Sequence, residues 1–388
     1  MKSAYNHDWV YNLAVIKEVK RWWKNDFVTK GQFVAISEAF KIPLYHPNLM
    51  IRVLLFVATL FALSGVSGFF FLIFADAGET VLAIASILYG LASFFALEKF
   101  FIGNNHYKSG VTEALLYHAC GFTIGGVAVL TDMDSPTLVL IISLGVLSYA
   151  AIRYLDLICT LCATLTLAGI AFYECFMAGG IFKQIIPFVI IILFALIYWQ
   201  VLNLKTKKEL KVWRYNLIVV ESLSLLLIYL GGNYFVVREL SVSMMDLDIP
   251  ENGDIPFAFM FYFLTGAMPI MYLFFAIRNK NVVLLRVSLV VIALSAFTFK
   301  YYFSLGHPEI TLTVAGALLL IITLALMNHL KVSRSGFTRE NLLSEKWGSM
   351  NVEAFVISQT MGGNQVTQPD TFKGSGGTFG GGGATGDF

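Results

Sequence analysis

Beyond residue 50 the chain alternates apolar runs of membrane-span length with short polar breaks, and this alternation predicts most of its architecture. About 20 apolar residues, rising 1.5 Å each in a helix, cross a hydrocarbon core of roughly 30 Å. Runs of that length fall at about 50–75, 80–102, 111–130, 136–153, 156–178, 183–203, 212–232, 255–277, 281–303 and 309–330. The fourth is the shortest. Its link to the fifth is little more than Arg153, Tyr154 and Leu155, so those two read either as full spans or as a tight hairpin.

Ahead of the runs the period is that of amphipathic helices. VYNLAVIKEVKRWWKNDF gathers Val15, Ile16, Val19, Trp22 and Trp23 on one face, against Lys17, Lys20, Arg21 and Lys24 on the other. KGQFVAISEAF follows, with Thr29 as N-cap and Phe33, Ile36 and Phe40 as an apolar stripe. Behind the runs, residues 331–360 form a mixed juxtamembrane segment, with one short helix resting on the membrane through Leu342, Leu343 and Trp347. From about 361 to 388 the glycine-rich tail, ending GSGGTFGGGGATGDF, buries too little apolar surface to offset its ordering entropy and is expected to be disordered. The expectation is an all-α polytopic membrane bundle of about ten transmembrane helices. A cytoplasmic helical pair (1–49) precedes it, and Phe372, Phe379 and Phe388 mark the tail as a candidate partner-binding segment.

Composition strengthens this reading, because 57% hydrophobic residues, 13% charged residues and a mean hydropathy of +0.73 exclude a soluble globular domain. A net charge of +2 hides an uneven distribution. Lys17, Lys20, Arg21, Lys24, Lys30 and Lys41 precede the first run, Lys99 and Lys108 flank the second loop, and Lys205, Lys207, Lys208, Lys211 and Arg214 crowd the sixth. The odd loops carry Asp76, Glu79, Asp132, Asp134, Asp246, Asp248, Glu251 and Asp254, with only Lys183, Arg238 and Lys300 as isolated cations. Short loops rich in Lys and Arg stay on the cytoplasmic side, so both termini are expected there, in a bacterial inner membrane. No cleavable signal peptide is expected, nor any nucleic-acid partner. Cys120, Cys159, Cys162 and Cys175 lie in or beside apolar runs and are expected to be free thiols.

The string RWWKNDFVTKGQFVAISEAF, followed by Pro43, a span and then EALLYHACGFTIGG, resembles the bacterial membrane proteins grouped as domain of unknown function 2157. That resemblance covers about a third of the chain, implies a helical pair ahead of a multi-spanning bundle, and brings no activity with it. The terminal GGGGATGDF is similar to the tails of some membrane proteins that carry a TPM domain, which implies at most a shared partner.

Ionisable groups inside spans point to sites, because an unpaired charge there costs about 2.5–3.5 kcal/mol or more. Glu221 is the deepest, with Ser224 at i+3 and Arg214 at i−7 on its face, and with Arg286 and His118 as candidate partners from other spans. It reads either as a proton or cation relay or as a tie between helices. His118 shares a face with Gly121 and Gly125, small residues that admit a close neighbour, and is expected to be a satisfied interhelical donor. The Asn104, Asn105 and His106 loop is expected to be solvated. Cys159 and Cys162 form a C-x-x-C pair without the further ligands a metal site needs. Gly65 to Gly68 spell GVSG, similar to the nucleophile motif of rhomboid proteases, but Ser67 sits inside a continuous span. No cofactor and no catalysis are expected. The expected function is a scaffold or sensor recruiting other membrane proteins through the helical pair and the tail. An ion-coupled transporter using Glu221 is the alternative, and an intramembrane hydrolase a remote third.

Overall fold

A computed structural model describes residues 3–74, 76–132, 134–243 and 253–302, together with scattered helical positions between 313 and 328. The described residues form α1 (His7–Lys24), α2 (Lys30–Ala39), α3 (Leu49–Phe74), α4 (Glu79–Ala96), α5 (Val111–Leu130) and α6 (Pro136–Tyr154). After these come α7 (Leu157–Ala178), α8 (Ile181–Lys205), α9 (Arg214–Gly232), α10 (Tyr234–Ser243), α11 (Ala258–Arg278) and α12 (Val282–Tyr302). A π-helical turn, Leu97–Ile102, extends α4, and a 3-10 turn, Lys208–Trp213, leads into α9. Among the described residues there is no strand, only a bridge between Tyr45 and His106.

Nine of these helices, α3 to α9 with α11 and α12, are long and apolar enough to cross a bilayer among the described residues, as a multi-pass membrane protein requires. Their bounds follow the apolar runs closely, because a backbone in hydrocarbon must bond within its own helix. The expected tenth span, 309–330, falls almost wholly outside the described residues. So do the juxtamembrane segment and the tail with Phe372, Phe379 and Phe388. α6 and α7 are each of spanning length, and only Leu155 and Asp156 separate them. Leu155 takes a left-handed conformation (φ 55°), and the Asp156 carboxylate accepts the Cys159 N–H at 2.8 Å, capping α7.

α10 is a helix the hydropathy pattern did not show. It has only ten residues, and Arg238 and Glu239 break its apolar character, yet it buries Tyr234, Val237 and Ser241. Elsewhere the spans show apolar side chains such as Phe61, Leu72 and Phe259 outward, the surface that lipid contacts.

Small residues let α4 and α5 approach closely. A Cβ placed on Gly90 of α4 would lie 2.4 Å from Thr123 Oγ1, and one on Gly126 of α5 would lie 2.8 Å from the Ala83 carbonyl oxygen. Gly121 and Gly125, the pair expected to admit a neighbour, have nothing within 4 Å of that position. The four-residue spacing marked a face of α5 correctly as small, but α4 packs against the next face round, that of Ala119, Thr123 and Gly126.

The helical pair is fastened at one end. Asn6 caps α1 by accepting the Asp8 N–H at 2.9 Å, and Ala4 N–H donates to the Arg153 carbonyl at 2.7 Å. Tyr5 packs edge-on against Tyr107, and Leu13 is buried in the core built around Leu97, Leu116, Tyr154 and Cys159. The sequence placed the apolar face of α1 on Val15, Ile16, Val19, Trp22 and Trp23. That face holds for Val15, Ile16, Val19 and Trp23, which are buried or half-buried, while Trp22 is exposed and Leu13 is buried in addition. α2 begins with the expected Thr29 cap, closed into a capping box by Gln32, and Trp23 stacks on Phe33 with centroids 5.2 Å apart. Phe33, Ile36 and Phe40 are half-buried, and no residue of α2 is fully buried.

Candidate functional site

Glu221 sits two turns into α9 with no solvent exposure. Its carboxylate accepts from Lys205 Nζ at 2.5 Å, the last residue of α8, and from Asn281 Nδ2 at 3.2 Å. Asn281 in turn caps α12, its Oδ1 accepting the Val283 N–H at 2.9 Å and the Leu284 N–H at 3.2 Å. One carboxylate therefore ties three spans. The Lys205 side chain is 23% exposed, whereas the Glu221 side chain is not exposed at all. Ser224, one turn on, is also fully buried, and its hydroxyl has no hydrogen-bond partner among the described residues.

The partners proposed from sequence lie elsewhere. Arg214 and Arg286 are on exposed surface, and His118 is on α5 against Tyr89 and Phe122, with ring centroids 5.2 and 4.4 Å away. His118 Nε2 and Tyr89 Oη have no hydrogen-bond partner among the described residues. His118 thus packs as a ring, and the interhelical bond expected of it is not formed. Lys205 escaped the sequence reading because it was counted among the loop cations. Only the antiparallel turn between α8 and α9 folds it back over Glu221, 16 residues on.

A second polar group fastens the end of the bundle that α1 covers. Glu113 in the first turn of α5 pairs with Arg52 of α3 at 2.5 Å and accepts the Gly110 N–H at 2.8 Å and the Thr112 hydroxyl at 2.9 Å. Gly110 permits this contact. Its φ is +91°, and a Cβ there would lie 2.1 Å from the Arg52 carbonyl oxygen. Asp156 accepts the Tyr117 hydroxyl at 3.0 Å, and Asn216 of α9 donates to the Asp156 carbonyl at 3.0 Å and to Thr160 Oγ1 at 2.6 Å. Glu98 accepts from Arg153 at 2.9 Å and from Tyr154 at 3.1 Å. The pairing of Glu113 with Arg52 depends on α3 returning beside α5.

The motifs with catalytic associations take structural positions. Ser67 Oγ donates to the Ser64 carbonyl at 3.1 Å within α3. All four cysteines are free thiols, and the Cys159 thiol contacts Cys120 of α5. Among the described residues no cluster of three or more His, Cys, Asp or Glu side chains is placed to hold a metal ion. No family model, no curated protein and no solved structure matches the chain. Its chemistry is therefore read from these contacts alone, in which the buried carboxylates Glu113 and Glu221 are each engaged by a cation and by neutral donors.

Proposed function

We propose that this chain is a non-catalytic component of a bacterial inner membrane, a scaffold or sensor with both termini cytoplasmic, which recruits other membrane proteins through its helical pair and its tail. The observation that carries this reading is the asymmetry of the pair. The first turns of α1 are locked into the bundle core, whereas α2 buries no residue completely, and the pair leaves Val34, Phe27 and Trp22 exposed. A helix started by its own capping box and stacked on α1 through Phe33 and Trp23, with apolar side chains left open, is built to meet something else. The resemblance of the first third of the chain to proteins with a helical pair ahead of a bundle supports the same reading.

The test is Phe27→Ser with Val34→Asp, two exposed positions whose change leaves the docking of α1 alone. Expression and thermal stability in detergent should match the parent, while proteins that co-purify with the native complex are lost. Retention of the full set by a variant also truncated after Gly363 would defeat the reading.

A second reading, an ion-coupled transporter, draws on the buried Glu221 carboxylate with its partly exposed lysine. It requires pH-dependent flux in proteoliposomes that Glu221→Gln abolishes.

A further inference from the structure

Where α1 lies over the end of the bundle it roofs a cleft of about 170 Å³. One enclosed water needs roughly 10–15 Å³ by the same measure, so the cleft has room for a polyatomic group. Three lysines from three separate segments line it: Lys17 of α1, Lys108 from the loop before α5, and Lys211 of the 3-10 turn before α9. Tyr11, Tyr107 and Tyr215 line it beside them, and its lining contains no aspartate or glutamate.

The carboxylates nearest this cleft already have donors. Glu113 is held by Arg52, Gly110 and Thr112, and Asp156 by Tyr117 and the N-terminus of α7. Lys108 is positioned at a cost, since it takes a left-handed conformation (φ 48°) that a residue with a Cβ seldom adopts. Its ammonium sits 5.6 Å from the centre of the Tyr107 ring, and the described structure forms no ion pair to it within 4.0 Å. Burial pushes half-buried Lys108 below the usual lysine range, with the Asp156 and Glu113 charges, which lie outside the cleft lining, opposing that shift. Burial also pushes the Tyr107 hydroxyl up to about 12, so it remains a donor at neutral pH. Gathering like charges in a partly desolvated place is unfavourable until an anion joins them.

We infer that this cleft binds a phosphate group through Lys17, Lys108 and Lys211. Lysine meets phosphate as a point charge with three donors, and neutral tyrosine hydroxyls complete the ring of donors without adding repulsion. The cleft opens next to the first residues of α5 and α9, the level at which a basic pocket between spans meets lipid headgroups. The phosphate thus belongs either to an anionic lipid or to a soluble phosphate compound that reaches the same level. The inference is independent of whether α2 recruits a protein.

The test uses the full chain in detergent, stripped of lipid until native mass spectrometry shows none bound. In one arm phosphatidylglycerol is titrated against phosphatidylcholine; in the other, inorganic phosphate against chloride at equal ionic strength. Thermal unfolding should rise saturably in the phosphatidylglycerol arm, the phosphate arm or both, with lipid alone identifying a headgroup site and inorganic phosphate alone a soluble ligand. Each exposed lysine replaced, Lys17→Gln or Lys211→Gln, should weaken apparent affinity about fivefold, which is about 1 kcal/mol per cation at a headgroup surface. The double variant should lose roughly 25-fold, and because both side chains are exposed its unliganded stability serves as the folding control. No saturable shift in either arm, an equal shift with phosphatidylcholine or chloride, or a double variant with parental affinity would overturn the inference.

Discussion

Glu221 shows how a residue can be found in a sequence while its partner is not. A lone glutamate in an apolar run has to be neutralised, so its importance follows from hydropathy alone. That Lys205 neutralises it depends on how α8 and α9 fold back on each other, which no local pattern in the sequence reveals. Arg214 and Arg286 had suitable charge but belong to exposed faces, and His118 was turned toward Tyr89 and Phe122. If the pair serves packing, Glu221→Gln should assemble normally with its unfolding temperature lowered by only a few degrees, since an amide still accepts from Lys205. Glu221→Leu should cost more, because it leaves Lys205 and Asn281 without their acceptor. Adding Lys205→Met to Glu221→Leu should recover part of that loss, since an apolar pair often replaces a buried ion pair without penalty. A coupling of about 0.5–3 kcal/mol is the expected range for residues in contact. Strict additivity in thermal unfolding would show that the two side chains do not stabilise one another.

Among the elements, those that a single physical constraint dictates were legible. Spans α3 to α9, α11 and α12 follow from length and hydropathy, and the Thr29 cap of α2 from the local chemistry of a helix start. α10 was hidden because ten residues containing Arg238 and Glu239 do not form an apolar run, although its burial of Tyr234 and Val237 makes it part of the packing. The α4 and α5 contact was half legible. Small residues on α5 announced a close approach, but a one-residue difference, Gly125 against Gly126, turns the side chain by about 100° and decides which face is meant. This yields a paired prediction for thermal unfolding. Gly121→Ala should be neutral or stabilising by up to about 1 kcal/mol, since alanine is the better helix former and the space is open. Gly126→Ala has the same propensity gain and should nevertheless destabilise, because the new methyl meets the Ala83 carbonyl at 2.8 Å and the Ile87 side chain at 2.7 Å. Equal behaviour of the two variants would mean that α4 and α5 do not meet along that line.

For the whole molecule, direction in the membrane is the property on which the functional reading depends, and it is set by charges outside the helices. The proposed phosphate cleft, the helical pair and the turn rich in lysine between α8 and α9 all belong to one end, where Lys17, Lys108 and Lys211 converge. That convergence joins cations from three regions that the sequence had assigned to one side on loop counting alone, so the geometry and the charge asymmetry point the same way. A cytoplasmic position for this end predicts that a cysteine introduced at Lys207 in a variant lacking the four native thiols will be protected from an impermeant maleimide in intact cells. A cysteine at Asp248, in the acidic sequence that follows residue 243 and lies outside the described residues, should react. Permeabilising the cells must expose the first, which separates burial from sidedness. The opposite pattern would place the helical pair outside the cytoplasm, and α2 would then have to find its partners in another compartment.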